Sequence, residues 1–175
     1  MRFSRVDARF LPVLAAVIPE LAEIRVPEAL PYEPVFQLAA LLRGLDAGMI
    51  LTRLKASRAL TDRVALLAAR MDTPLGRDEA AMRRLLHEMG PQAAEQLIEL
   101  RGDEAARELL CRVLARGDCY CLRMLKIRGD DLAAQGLAGR EIGEMLERLL
   151  GMVIAGELPN EREALARAAK RGAAE

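Results

Sequence analysis

The sequence predicts an all-α protein, an antiparallel helical bundle or array that ends in a helix-turn-helix tail. The apolar content of 52% consists mostly of Ala, Leu, Val, Ile and Met, among which strong helix formers dominate. Aromatic residues, which favour β-strands, make up only 3% of the chain. Apolar side chains recur at steps of three and four residues, with short connections between such stretches.

Proline and capping residues divide the first part of the chain into helices. A helix over 7–24 is broken around Pro19, and Pro34 suits the first turn of the helix that follows. Ser57 is predicted as the N-cap of a helix that extends to Met71. The apolar residues of this helix share one face, which indicates packing against a core.

Three more helices are predicted before residue 117. One extends over 78–89 with Gly90 as its C-cap, and Pro91 opens the next. Asp103 caps a third helix over 104–116. Helices of about three turns joined by short connections are typical of antiparallel neighbours in a bundle.

A short helix and a glycine-containing turn begin the clearest two-helix pattern of the chain. Asp130 or Asp131 can cap the short helix, which stops at Gly136. A second helix begins after Gly139. Together they predict the helix-turn-helix of the tail.

The helix after Gly139 is amphipathic. Its charged residues lie on one side, and Gly156 ends it, because only glycine takes a positive φ freely. A turn through Pro159 follows, and Asn160 is predicted as the N-cap of a last helix that runs to Lys170. The apolar side consists of Ile142, Met145, Leu146, Leu149, Leu150, Met152 and Val153.

Charge and cysteine content exclude several classes of protein. The 26 basic and 26 acidic residues cancel, so net charge gives no argument for nucleic acid. Three clustered cysteines fit neither a secreted disulfide framework nor a zinc site, so reduced thiols are expected.

No apolar run approaches the ~20 residues of a membrane span, and Asp7 interrupts the N-terminal basic residues that a signal peptide would need. We therefore expect a cytoplasmic protein.

The stretch GDDLAAQGLAGREIGEMLERLLGMVIAGELPNEREAL has an order of motifs that a known family shares. A Gly-x-x-Leu helix is followed by a glycine-containing turn, Ile-Gly, an apolar helix, Gly-x-Leu-Pro-Asn and a glutamate-rich helix start. In order and spacing it resembles the C-terminal segment of bacterial CCA-adding enzymes, the tRNA nucleotidyltransferases of the poly(A) polymerase type. The turn at Ala138-Gly139-Arg140 departs from the family, which usually has a proline-rich turn there.

Shorter matches extend the resemblance upstream. Leu38-Ala39-Ala40-Leu41-Leu42 resembles the family's apolar helix that normally continues into His-Asp, and Asp72-Thr73-Pro74-Leu75 is similar to the stretch after that motif. The resemblance implies two domains: a helical body with a degenerate His-Asp-like region, residues 1–104, and a C-terminal tail domain, residues 105–175.

The resemblance also places catalysis outside these residues. In the family, a head domain carries a Gly-Ser turn and an Asp-x-Asp pair that holds magnesium for nucleotidyl transfer. Here Asp130 and Asp131 lie at a helix start without such a turn, so capping is the better interpretation. Arg43-Gly44 replaces His-Asp, and His87 is the only histidine, which excludes a His-Asp metal site. We predict no catalytic residue, metal ligand or cofactor in this chain, since magnesium would belong to the head.

Two basic regions hold the predicted RNA contacts. Over 112–128 the only acid is Asp118, so this segment is either a solvated face or a set of phosphate contacts, and the resemblance favours the second. The turn over 136–140 is either an ordinary helix connection or a second phosphate site. The predicted RNA-binding residues are Arg112, Arg116, Arg123, Lys126, Arg128, Gly139 and Arg140.

The function implied by the resemblance is that of a tRNA-binding module of a CCA-adding enzyme without the nucleotidyl-transfer site. tRNA is then the expected partner, and a separate catalytic head or a second copy of the chain are further partners left open. The alternative is a stand-alone helical protein-interaction module that has lost RNA binding, which the neutral net charge and the acidic face of the 139–155 helix favour. A complete enzyme is not supported, because the sequence has no carboxylate–metal or nucleophile arrangement.

Overall fold

A computed structural model describes residues 34–172, which form α-helices and one 3-10 helix and contain no strand. The predicted all-α class is confirmed for these residues, whereas the antiparallel order and the helix-turn-helix tail stay predictions. The expected helix over 7–24 lies outside the described residues. The α-helices are α1 (Pro34–Leu41), α2 (Ala47–Arg53), α3 (Arg58–Arg70), α4 (Glu79–Arg101), α5 (Glu104–Ala115), α6 (Gly129–Ala133), α7 (Arg140–Ala155) and α8 (Arg162–Gly172), with the 3-10 helix at Leu122–Met124.

The described residues belong to two compact units. The first unit contains residues 34–74 and 95–102, and the second contains residues 75–94 and 103–172. The chain passes from the second unit to the first inside α4, shortly after Gly90, where φ is +75° and the helical geometry is interrupted. The predicted division into 1–104 and 105–175 was drawn from the resemblance and stays a prediction.

The first unit is built around α3, against which both α1 and α2 pack. Its core contains Phe36, Leu51 and Leu67, all at most 3% exposed. The one buried polar residue among the described residues, Gln96, accepts a hydrogen bond on Oε1 from Arg63 Nε at 2.9 Å. A buried amide needs such a partner, because an unpaired polar group in a core costs about 1–3 kcal/mol.

The second unit has a core formed by α6, α7, α8 and the segment that leads into α6. Leu132, Leu149, Leu150 and Leu165 are at most 1% exposed at its centre. The apolar side of α7 predicted from its periodicity supplies Met145, Leu149, Leu150 and Val153 to this core. The amphipathic pattern therefore identified the packing face of this helix.

Several predicted helix ends are confirmed. Ser57 Oγ accepts a hydrogen bond from Leu60 N–H at the start of α3, and Asp103 Oδ1 accepts one from Ala106 N–H at the start of α5. Pro91 follows the break at Gly90. Gly156 ends α7 in the left-handed conformation, with φ +80°. These ends depend on local chemistry, which the sequence displays directly.

The structure differs from the local predictions at three places. α2 was not predicted, although Asp46 caps it through Met49 N–H at 2.8 Å. α6 begins at Gly129, so neither Asp130 nor Asp131 is its N-cap residue, but Asp131 does cap the helix start, because its Oδ2 accepts a hydrogen bond from Arg128 N–H at 2.9 Å. Asn160 does not cap α8, because Leu165 N–H bonds to the Glu161 carbonyl, which leaves Asn160 one residue too early.

No helix within 34–172 combines the length and apolarity needed to cross a membrane.

Candidate nucleic-acid interface

The predicted basic segment lies on three successive pieces of the second unit. Arg112 is on the last turn of α5, and Arg116 is the C-cap residue of that helix. Arg123 is in the 3-10 helix, and Lys126 and Arg128 lie in the segment between it and α6. All five side chains belong to exposed residues, so the segment is on the surface.

Arg116 takes part in a network of ion pairs. Its guanidinium bonds to Glu79 at 2.6 and 2.7 Å, and to Asp118 at 2.8 and 3.1 Å. Asp118 also accepts a bond from Arg83 Nη1 at 2.9 Å, and Arg83 Nε bonds to the Ile154 carbonyl near the end of α7. The network therefore links α4, the turn after α5 and the end of α7.

The titration of the network follows from its geometry. Hydrogen bonds from Arg116 hold the pKa of Asp118 below its usual range, with Arg83 acting in the same direction and partial burial opposing it. Arg116 likewise lowers the pKa of Glu79, and the two carboxylates raise the pKa of Arg116. Arg116 is thus a structural cation that is already neutralised, a role that the sequence did not indicate.

The segment from Leu125 to Arg128 alternates between the core and the surface. Leu125 and Ile127 are 6% and 2% exposed, whereas Lys126 and Arg128 are exposed. An extended backbone turns successive side chains to opposite sides, which produces this alternation. Burial of the two apolar residues therefore directs both cations to solvent.

Asn160 holds this segment through its side-chain amide. Its Oδ1 accepts a bond from Lys126 N–H at 2.9 Å, and its Nδ2 donates to the Met124 carbonyl at 2.8 Å. The sequence prediction missed this role, because Asn160 is 34 positions from Lys126 and its neighbours suggested a helix cap. Its position in the Gly-x-Leu-Pro-Asn motif was the only available signal.

Asp131 fixes the other end of the segment. Its Oδ2 accepts a bond from Arg128 N–H at 2.9 Å, and its Oδ1 forms an ion pair with Arg162. The pKa of Asp131 is lowered, first by Arg162 and then by the Arg128 N–H. Both oxygens of this carboxylate are in use, so the Asp130-Asp131 pair does not fit a magnesium site. Within the described part of the chain, no three His, Cys, Asp or Glu residues are grouped to hold a metal ion.

Four of the predicted cations are not held by internal ion pairs as Arg116 is. Arg112, Arg123, Lys126 and Arg128 make no side-chain ion pair or hydrogen bond with any residue from 34 to 172. Surface cations outside such pairs are available to an external anion, although the charge of Arg128 also acts on Asp131 and helps to lower its pKa. Three of them lie within six residues, so this short segment, here called the cationic strip (Arg123, Lys126 and Arg128), is the most available basic surface of the predicted set.

Carboxylates of α7 already accept hydrogen bonds from the turn that precedes this helix. Gly139 has φ +53° and is exposed, as the prediction of a tight turn requires. Ala138 N–H donates to Glu141 Oε2 at 3.2 Å, and Arg140 Nε bonds to Glu144 Oε1 at 2.5 Å. These contacts compete with an external phosphate at the helix start, where anions otherwise bind well.

A comparison with protein-family models gives the decisive finding. Residues 35–169 match the model of tRNA nucleotidyltransferase domain 2. The chain belongs to this family. The match includes both predicted RNA-contact regions, and it supports the resemblance of this chain to the body and tail of CCA-adding enzymes. Searches of curated proteins and of solved structures gave no significant match.

Proposed function

We propose that this chain binds the phosphate backbone of tRNA, as a module of a CCA-adding enzyme. Family membership supports tRNA as the ligand. The observation that carries the proposal is the cationic strip, three exposed cations whose side chains form no ion pair or hydrogen bond with residues 34–172. Contacts from such residues to phosphates release bound counterions, which supplies much of the affinity for nucleic acid.

The predicted contacts have unequal support. Arg112 is exposed and unpaired within the described residues, so it joins the strip as a proposed contact. Arg116, Gly139 and Arg140 remain proposed contacts of a second rank, because carboxylates of the chain already bond to Arg116, to Arg140 and to the turn. A phosphate at these positions would have to displace an internal partner.

We further propose that nucleotide addition takes place on a catalytic head that these residues do not supply. Magnesium, which stabilises charge in nucleotidyl transfer, would be held by carboxylates of that head. The contribution of this module is then to grip the tRNA so that its 3′ end reaches the head. We place this work in the cytoplasm, where the three free cysteines stay reduced.

The test is a titration with tRNA at several salt concentrations. The unsubstituted chain should bind, and its affinity should fall steeply between about 50 and 200 mM salt. The triple variant Arg123→Gln, Lys126→Gln, Arg128→Gln should bind at least about tenfold more weakly, and its slope of log affinity against log salt should be smaller by roughly two to three.

A matched control removes three charges from the other unit. Arg53, Lys55 and Arg58 are exposed and also lie within six residues, so their change to glutamine alters the net charge equally. This control should keep the slope of the unsubstituted chain. Equal losses in both triple variants would contradict binding through the strip. No binding by the unsubstituted chain at low salt would contradict the tRNA proposal and favour the alternative, a protein-interaction module.

A further inference from the structure

The cationic strip is held in place by two buried apolar residues, by the Asp131 carboxylate and by the neutral amide of Asn160. We infer that Asn160 is a positioning residue for RNA binding, which presets the backbone of the strip so that Lys126 and its neighbours meet phosphates without reordering. This inference rests on the proposed function. It concerns a residue whose side chain lies against the strip backbone and contributes no charge to the ligand.

The geometry shows why an amide is needed at this place. The Met124 carbonyl and the Lys126 N–H are an acceptor and a donor on one short stretch of backbone. A carboxamide carries one donor and one acceptor group side by side, so it satisfies both at once, as a neighbouring strand would. A carboxylate cannot reproduce this pair, because it is acceptor-only and would face the Met124 carbonyl with like polarity, and a hydroxyl has its donor and its acceptor on one atom instead of on two neighbouring atoms.

The surroundings indicate that Asn160 acts on the strip specifically. Leu125 and Ile127 fix the inner side of the segment through burial, and Asp131 fixes its far end through Arg128 N–H. Between these anchors, the Asn160 side-chain amide accepts the hydrogen bond of the Lys126 N–H. Without it, the Lys126 backbone loses its partner while the apolar anchors stay in place. The expected result is a locally loosened strip on an intact unit.

A loosened strip should bind tRNA more weakly, because its side chains and backbone lose more conformational entropy on binding. Each long cationic side chain that must be ordered on binding lowers the affinity, and a preset backbone removes part of that loss. We therefore expect Asn160→Ala to bind tRNA about five- to tenfold more weakly than the unsubstituted chain. All three cations remain, so the slope of log affinity against log salt should change by less than about one. This combination differs from the strip variant, in which the slope itself falls.

The experiment compares Asn160→Ala and Asn160→Ser with Ser57→Ala, a charge-neutral control that removes the N-cap of α3 in the other unit. tRNA affinity, salt slope and exchange of the Lys126 amide hydrogen are measured for each, at a temperature well below every unfolding midpoint. Faster Lys126 exchange with weaker binding in the Asn160 variants, and neither change in Ser57→Ala, supports the inference. If Asn160→Ala does not fold, the serine variant gives the same readouts.

Two outcomes would overturn the inference in distinguishable ways. Unchanged tRNA affinity in the Asn160 variants, or a loss that Ser57→Ala shares, contradicts a positioning role but leaves RNA binding by the strip intact. Failure of the unsubstituted chain to bind tRNA overturns the proposed function and this inference with it.

Discussion

The ion-pair network around Asp118 makes a quantitative prediction about stability. In Asp118→Asn the side chain keeps its shape but loses its charge, so three charge-assisted hydrogen bonds are affected, one from Arg83 and two from Arg116. Hydrogen bonds to charged groups contribute about 1.5–3 kcal/mol each when shielded from water. The two partners are not equally shielded, however, and this difference sets the expected cost.

The solvent exposure of each side chain determines how much its hydrogen bonds contribute to the free energy of unfolding. The side chains of Arg83 and Asp118 are each 14% exposed, whereas that of Arg116 is 48% exposed. Solvent screens the Arg116 contribution, so it adds little. The substitution mainly leaves the Arg83 guanidinium with the Ile154 carbonyl as its remaining hydrogen-bond partner among residues 34–172. We expect a loss of about 2 kcal/mol in the free energy of unfolding, most of it from Arg83.

The assay is urea unfolding followed by far-UV circular dichroism at neutral pH, with the slope of free energy against urea checked for constancy. The matched control is Glu144→Gln, because the Arg140–Glu144 pair is 90% and 60% exposed on the two sides. Its removal should cost less than about 0.5 kcal/mol. A cost for Asp118→Asn no larger than that of the control would show that water already screens Arg83, and the reasoning from burial would fail.

The remaining predictions concern α7 and acid. Gly156→Ala should destabilise the chain by about 1 kcal/mol, since φ is +80° and the new methyl group would lie 3.3 Å from Arg83 Nη2. Gly143→Ala, inside the same helix and facing open space, should instead stabilise it by about 0.5–1 kcal/mol, and urea midpoints compare the two. Because the folded-state pKa values of Asp118 and Glu79 are lowered, the stability they provide should be complete above about pH 4.5 and lost as pH falls through the folded values. Urea midpoints down to about pH 3 should show this loss, and a decline equally steep in Asp118→Asn would contradict a contribution from Asp118.

The sequence predicted features whose physics is local. Ser57, Asp103 and Gly156 mark helix ends through bonds or dihedral angles within a few residues. The core face of α7 follows from helical periodicity alone. α2 escaped prediction because its seven residues include Gly48 and are too few to display a clear period.

The candidate site was harder to predict because its character depends on distant partners. Arg116 and Arg128 look alike in sequence, yet Arg116 is neutralised by Glu79, 37 positions away, and the Arg128 side chain forms no ion pair or hydrogen bond with residues 34–172. Asn160 was assigned to the helix that follows it, whereas its amide bonds to backbone 36 positions earlier. Pairings over such separations arise only when the chain is folded, so residue type and spacing do not reveal them.

The route of the chain between its two compact units constrains how the protein can be made and divided. Neither unit is a continuous segment, since residues 75–94 belong with 103–172 and residues 95–102 belong with 34–74. During synthesis, the first unit therefore lacks part of its packing until α4 has left the ribosome. A fragment that starts at residue 105 would likewise leave Arg83 behind and expose Asp118 without it. Fragments intended to isolate tRNA binding should begin before α4.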